Sequence, residues 1–413
     1  MGQAAEIFLG ILTAMGGFVE IGELVFTLTA GTRFGYQLAW VSVLGTIGIM
    51  AYCEMAGRVA AVRHRPVFSL VRERAGFTAG AVTLVASLVV SLLTCAAEIG
   101  GIALLWQLVS DGPYRLFVVL AFVVFALVVW VLPFQWIERV YGLGGLMMIV
   151  FVVALVAIGP DWSEIARGLM PRAAPSGGST RDTLLYAYVA VALMSSIMLP
   201  YETYFYASGG IEDGWKPKDV TLNRVVVLVG FGLGALLSLA LIGLGADFFA
   251  PHGIDPQAPA TAALAASDAL GRTGLALALG GMFFAFGGAA IETCLSGAYN
   301  LAQFAGWPWG KHLPKRKTPR FTLAWIVLLL LAALLVVTGI DPVQVVEYSI
   351  VASVVVLPLS YFPLLMVAKD RHIMGRHANG WLANALGWFY LVLVTLAAVA
   401  ALPLFFLTHQ GQG

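Results

Sequence analysis

Met15-Gly-Gly-Phe-Val-Glu-Ile-Gly-Glu-Leu24 lies inside the first long apolar stretch of the chain and carries two carboxylates, Glu20 and Glu23, three residues apart. An ionisable group at the centre of a bilayer costs at least ~2.5–3.5 kcal/mol on insertion scales, so this pair must face a polar interior. Gly16, Gly17 and Gly22 weaken the helix at the same place and can leave backbone carbonyls unpaired beside the carboxylates. Carboxylate and carbonyl oxygens together form the ligand set of a cation.

The rest of the chain has the composition of a polytopic membrane protein. Of its 413 residues 60% are hydrophobic and 11% charged, and the mean hydropathy is +0.90. No water-soluble domain of this size normally shows such values. The first apolar segment, about 4–30, is too long and too polar at its centre for a cleavable signal peptide, and is expected to remain as a span. The three cysteines, Cys53, Cys95 and Cys294, fall in apolar segments without the paired spacing of a zinc or redox motif, and read as buried thiols.

A bilayer core takes about 20 apolar residues per helix, and roughly eleven such stretches follow one another. They are predicted near 4–30, 37–61, 78–108, 115–132, 140–159, 183–208, 222–247, 271–304, 320–338, 343–367 and 380–407. A Pro/Gly/Ser-rich connector from Gly159 to Asp182 marks the midpoint. With the N-terminus inside, Arg58, Arg63, Arg65, Arg72, Arg74 and the Lys311–Arg320 run fall on the cytoplasmic side, as do Lys216, Lys218, Lys369 and Arg371. Only Arg33, Arg115, Arg167, Arg172, Arg181 and Arg272 remain outside. This asymmetry predicts a multi-pass protein of the cytoplasmic membrane, N-terminus in and C-terminus out. The basic runs lack aromatic interleaving, so no nucleic-acid partner is expected.

Span six repeats the anomaly of span one. Ser195-Ser-Ile-Met-Leu-Pro-Tyr-Glu-Thr-Tyr204 places Pro200 and Glu202 in mid-membrane. Pro200 has no amide hydrogen and disfavours helix at Leu199, so the carbonyls around Ser196 lose their partners. A non-helical backbone at that depth survives only where it lines a cavity or is buried in protein. Glu202 then falls at the start of the next half-helix, where the dipole favours a carboxylate. Broken helices at corresponding positions one and six predict a secondary transporter of two inverted five-helix repeats with its site at the midplane. Repeat one would cover 4–159 and repeat two 183–367, with an extra helix at 380–407, all within one transmembrane domain, 1–413.

These segments resemble the Nramp family of proton-coupled divalent metal transporters. Phe18 to Leu24, with the exit Thr29-Ala-Gly-Thr-Arg-Phe-Gly-Tyr36, is similar to the family's Asp-Pro-Gly-Asn segment followed by Ala-Gly-Ala-Gln-Phe-Gly-Tyr. Leu199-Pro-Tyr-Glu202 stands where the family has Met-Pro-His-Asn. Glu54-Met-Ala-Gly-Arg-Val59, Ala97-Glu-Ile-Gly100, Leu295-Ser-Gly-Ala-Tyr299 and Ile373-Met-Gly375 extend the match along nearly the whole chain. The resemblance implies an all-α, leucine-transporter-like fold and a metal site built from Glu20, Glu23, Glu202, Leu199, Tyr201 and the carbonyls of Gly17 and Ser196. It departs from the family where carboxylates replace an amide and where Leu199 replaces the metal-contacting Met. Loss of a thioether with gain of carboxylates shifts preference toward hard cations such as Mg2+ or Mn2+ over Fe2+, in the direction of the Nramp-related magnesium transporters. Of the family's proton route only Glu98 remains, since Tyr201 and Cys95 stand where the family has a His and an Asp, and Glu292 in span eight is a further pathway candidate. Weak or absent proton coupling is therefore expected.

No nucleotide loop occurs and all six histidines fall outside the spans, so neither an ATP-driven pump nor a membrane enzyme is expected. The leading expectation is inward transport of a divalent cation by alternating access, with the metal as substrate, no cofactor and no obligate protein partner. Two alternatives stand beside it: a carrier of a guanidinium or amine, held by Tyr201, Tyr204 and Phe205 beside Glu202, and a membrane-embedded metal sensor.

Overall fold

The structure is a computed structural model that describes residues 19–174, 179–409 and 411. Every regular element among them is helical. Helices of seven or more residues are numbered in chain order: α1 Ile21–Phe34, α2 Ala39–Arg63, α3 Val67–Ser110, α4 Tyr114–Val131, α5 Phe134–Gly145, α6 Ile149–Ile158 and α7 Trp162–Gly168. Then follow α8 Thr180–Ile197, α9 Pro200–Glu212, α10 Val220–Leu244, α11 Ala263–Ala305, α12 Pro319–Val337, α13 Pro342–Lys369 and α14 Trp381–Leu407.

Ten stretches of the described residues are long and apolar enough to cross a bilayer. The first, Ile21–Arg63, contains α1 and α2 joined by a 3-10 turn, so it holds the described part of the first expected span and all of the second. The remaining nine match the other nine expectations. Two long helices are bent where glycine permits a backbone that other residues resist: Gly76 (φ 85) in α3 and Gly271 (φ 61) in α11. The bends fall where the third and eighth spans were predicted to begin.

The fifth span starts earlier than its apolar run suggested. Pro133 sits immediately before α5, fixing a backbone angle compatible with helix entry, and the helix runs from Phe134 instead of 140. Glu138 and Arg139 are thereby drawn into helix, where both have partners.

The chain between α8 and α9 is broken as the proline predicts. α8 ends at Ile197, Met198 and Leu199 leave helical geometry (φ −96, ψ 59 and φ −66, ψ 127), and Pro200 opens α9. α1 crosses α10 at a glycine contact: a Cβ on Gly31 would lie 2.0 Å from the Ile242 carbonyl oxygen. Backbone packing this close is how small residues hold transmembrane helices together without a hydrophobic driving force. α3 packs against α11 and α13, and α9 against α2 and α11. α4, α12 and α14 are the least buried spans, with side chains such as Leu127, Leu323 and Leu396 directed outward. Lipid is the solvent those faces fit.

Candidate cation site at the two helix breaks

The described part of span one begins with an extended residue, not with a helix. Glu20 precedes α1 with φ −102 and ψ 171, and it is buried. Being outside the helix, Glu20 does not share a helical face with Glu23, as three-residue spacing within a helix would require. The two carboxylates therefore diverge. Glu20 Oε2 accepts from the Tyr201 hydroxyl at 3.3 Å, which joins the two breaks. Glu23, in the first turn of α1, accepts from the Ser238 hydroxyl on α10.

The free N-terminus of α1 has a partner from a third helix. The Ile21 N–H donates to Glu98 Oε1 on α3 at 2.9 Å, the role an N-cap side chain normally fills from the adjoining sequence. Glu98 thus holds the start of α1. Cys95, three residues earlier, instead donates its thiol to the Ala290 carbonyl on α11 at 3.4 Å.

At the second break, the helical partner of the Ser196 carbonyl would be the amide of residue 200. That residue is Pro200, so the oxygen is left without its intrahelical donor. The break is fixed from both sides. Tyr361 donates to the Met198 carbonyl at 3.3 Å, Ser195 to the Ile350 carbonyl at 3.0 Å, and Ser296 to the Tyr201 carbonyl at 3.2 Å. Leu199 packs with Tyr201, Val90 and Val356 in a small apolar cluster of its own. Glu202 lies in the first turn of α9 and is buried.

One carboxylate oxygen on each of Glu23, Glu98, Glu202 and Glu292 is buried without a hydrogen-bond partner. Such atoms are costly unless a proton or cation satisfies them. Glu20 stands within electrostatic reach of Glu202, Glu23 and Glu98, and Glu292 on α11 within reach of Glu202, Glu98 and Glu138. Yet among the described residues no group of three or more His, Cys, Asp or Glu side chains could hold a metal ion. The expected shell of Glu20, Glu23 and Glu202 is therefore not assembled in this conformation, because Glu23 is turned to Ser238. Gly22 also departs from expectation. It is the second residue of α1, not a break, and its lack of a side chain makes room: a Cβ there would lie 2.7 Å from Ile350 Cδ1 and 2.9 Å from Glu20 Oε1. Gly16 and Gly17 lie outside the described residues.

Two of the aromatic side chains of α9 are engaged by other helices. Tyr204 donates to the Ser360 carbonyl on α13 at 3.0 Å, and Phe205 packs against Phe134 and Tyr299. At the other end of α9, Glu212 is saturated with donors. It accepts from the Tyr299 hydroxyl (2.8 Å), the Lys311 and His312 amides (2.6 and 2.8 Å) and lies 2.7 Å from His312 Nδ1. That hydrogen bond raises the His312 imidazole above its ordinary pKa. Sequence reasoning missed Ser238, Ser296 and Glu212. The only signal for Ser238 is a lone hydroxyl inside an apolar run, Leu236-Leu-Ser-Leu-Ala240, whereas Ser296 stands in the polar stretch Glu292–Asn300.

Residues 10–403 match the profile of the natural resistance-associated macrophage protein-like family, Nramp. The chain belongs to the Nramp family. Membership makes it a membrane transporter and not an enzyme. Among Nramp relatives, the divalent metal cation transporter MntH 1 of Pseudomonas aeruginosa is 27% identical over 413 residues, spanning 96% of this chain and 91% of its own. The manganese transporter of Eremococcus coleocola has the same fold, with a TM-score of 0.80 at 20% identity over 96% of this chain and 86% of that one. The Nramp fold extends to more distant transporters: MhsT, solved in complex with L-phenylalanine, gives a TM-score of 0.62 at 18% identity, covering 97% of this chain and 98% of that one.

Proposed function

We propose that this Nramp chain carries a divalent metal cation across the cell membrane by alternating access, the ion entering between the two helix breaks. The observation that carries this reading is the set of buried, unpaired carboxylate oxygens on Glu23, Glu98, Glu202 and Glu292, close to a broken helix whose Ser196 carbonyl has lost its helical donor. Glu20 and Glu202 are the charged ligands, and the Ser196 carbonyl adds a neutral oxygen. Glu23 joins them by releasing Ser238. Relatives described as divalent metal cation and manganese transporters support the same substrate class.

The donor set is all oxygen, which favours Mg2+ or Mn2+ over Fe2+. Leu199, packed among apolar side chains, offers the ion nothing. Proton coupling is weak or absent, since Cys95 donates to a carbonyl and Glu98 has one oxygen held by the Ile21 amide, which leaves its second oxygen alone to take up a proton. In this reading the N-terminus lies inside and the C-terminus outside, which the Lys and Arg bias of the loops supports. The inverted repeats are 4–159 and 183–367.

Proteoliposomes with a trapped metal-sensitive dye test the reading. Mn2+ or Mg2+ is expected to enter, little internal acidification should accompany it, and Glu20→Ala should reduce uptake to background. If neither ion enters, or if Glu20→Ala transports normally, the assignment fails.

A further inference from the structure

A groove of about 940 Å3 lies far from the helix breaks, where the end of α4 meets the loop before α12. Its walls divide by chemistry. One side is apolar and continuous with two of the least buried spans: Val131 is 67% exposed and Leu323 61%, with Ile326 and the Trp130–Trp325 pair between them. The other side is the loop 310–318, which contributes Lys311, His312, Lys315 and Arg316, and no Asp or Glu lines the groove.

These four basic residues are not equivalent. Lys311 donates its ammonium to the Val129 carbonyl and His312 is held by Glu212, so both are engaged by the protein. Lys315 lies over the Trp130 ring, 4.2 Å from its centroid, an arrangement that keeps the ammonium at the groove mouth with its remaining surface free. Among the described residues Arg316 forms no ion pair, and it is exposed.

We propose that this groove binds an anionic phospholipid, with Lys315 and Arg316 meeting the headgroup phosphate and the acyl chains running along Val131, Leu323 and Ile326. Charge complementarity selects the headgroup, and continuity with the outward apolar faces of α4 and α12 selects a lipid over a free anion. A phosphate ion would leave the apolar wall in contact with water, whereas an acyl chain covers it. Arg316 can grip two phosphate oxygens at once and Lys315 supplies a point charge, a division suited to a phosphodiester. The inference stands whatever ion the chain carries.

The full chain, purified with lipid and examined by native mass spectrometry, tests this. Phosphatidylglycerol should remain bound under conditions that strip phosphatidylcholine. The double variant Lys315→Gln, Arg316→Gln should lower phosphatidylglycerol retention roughly tenfold or more. Thr322→Phe, which fills the groove and leaves every charge in place, should lower it as well. Thermal melting of both variants establishes that they fold. Independently of any variant, tryptophan quenching in the wild-type chain should be stronger with brominated phosphatidylglycerol than with brominated phosphatidylcholine. Equal retention or quenching by the two lipids overturns the proposal. So does unchanged retention in both folded variants, or displacement of the lipid by inorganic phosphate at matched ionic strength.

Discussion

The start of α1 and the break before α9 meet at one hydrogen bond, Tyr201 to Glu20, but they are made by different physics. The break before α9 is covalent in origin. Pro200 cannot donate to the Ser196 carbonyl, and here the helix stops at Ile197, whereas Pro358 and Pro363 are carried inside α13. The start of α1 is made at a distance: the Ile21 amide is satisfied by Glu98, 77 residues further along the chain. One break is thus written in the residues that form it, and the other depends on the tertiary structure being in place. A break fixed by its own residues facing a helix start that depends on remote contacts is what an alternating-access site needs if one half is to move relative to the other.

The strongest way to break that comparison is Pro200→Ala. It restores a donor to the Ser196 carbonyl, so α8 and α9 should tend to join. Metal uptake into proteoliposomes is expected to fall to near background, while thermal stability holds or rises by about 1 kcal/mol from the regained hydrogen bond. Retention of normal transport would show that the proline is only a kink.

Gly22→Ala probes the crowding around Glu20. A Cβ there meets Ile350 Cδ1 at 2.7 Å and the Glu20 carboxylate at 2.9 Å, so a destabilisation of roughly 1–3 kcal/mol and a partial loss of uptake are expected. Adding Ile350→Val removes the Cδ1 atom and should recover part of the stability. Additive losses in the double variant would contradict the contact.

The smallest and sharpest test compares two variants at Glu98. Glu98→Ala removes the acceptor from the Ile21 amide and should cost ~0.5–2 kcal/mol of stability, the range for losing an N-cap. Glu98→Gln keeps a carbonyl oxygen at the same place and should melt close to the wild-type temperature. Equal melting of the Ala and Gln variants would mean that α1 does not rely on this remote acceptor.

The same division explains what the sequence disclosed. Span positions follow from apolar run length, and the break at Pro200 from a missing hydrogen, both local properties; the break and, apart from the start of the fifth, the described spans are found where they were read. The bends at Gly76 and Gly271 likewise fall at predicted span starts. The early start of α5 was hidden because Glu138 and Arg139 interrupt the apolar run, and only partners supplied by the fold make those charges tolerable. Gly22 looked like a breaker because glycine weakens helices, but its role is spatial, set by Ile350 on a distant helix. The divergence of Glu20 and Glu23 was equally invisible. Three-residue spacing implies a shared face only when both residues are helical, and Glu20 is not. Ser238 and Glu98 became legible only once α10 and α3 were seen beside α1.

Glu212 makes α9 a lever. Four donors pin its far end to Tyr299 and the loop at Lys311 and His312, while its near end is held by single hydrogen bonds: Tyr201 to Glu20 at 3.3 Å, Ser296 to the Tyr201 carbonyl at 3.2 Å and Tyr204 to the Ser360 carbonyl at 3.0 Å. Thirteen residues of helix are about 20 Å long, so a tilt of about 10° about that fulcrum carries Tyr201 by roughly 3 Å. A swing that small leaves the pinned end unchanged, exchanges the single hydrogen bonds at the near end, and parts Tyr201 from Glu20 by more than the width of an ion.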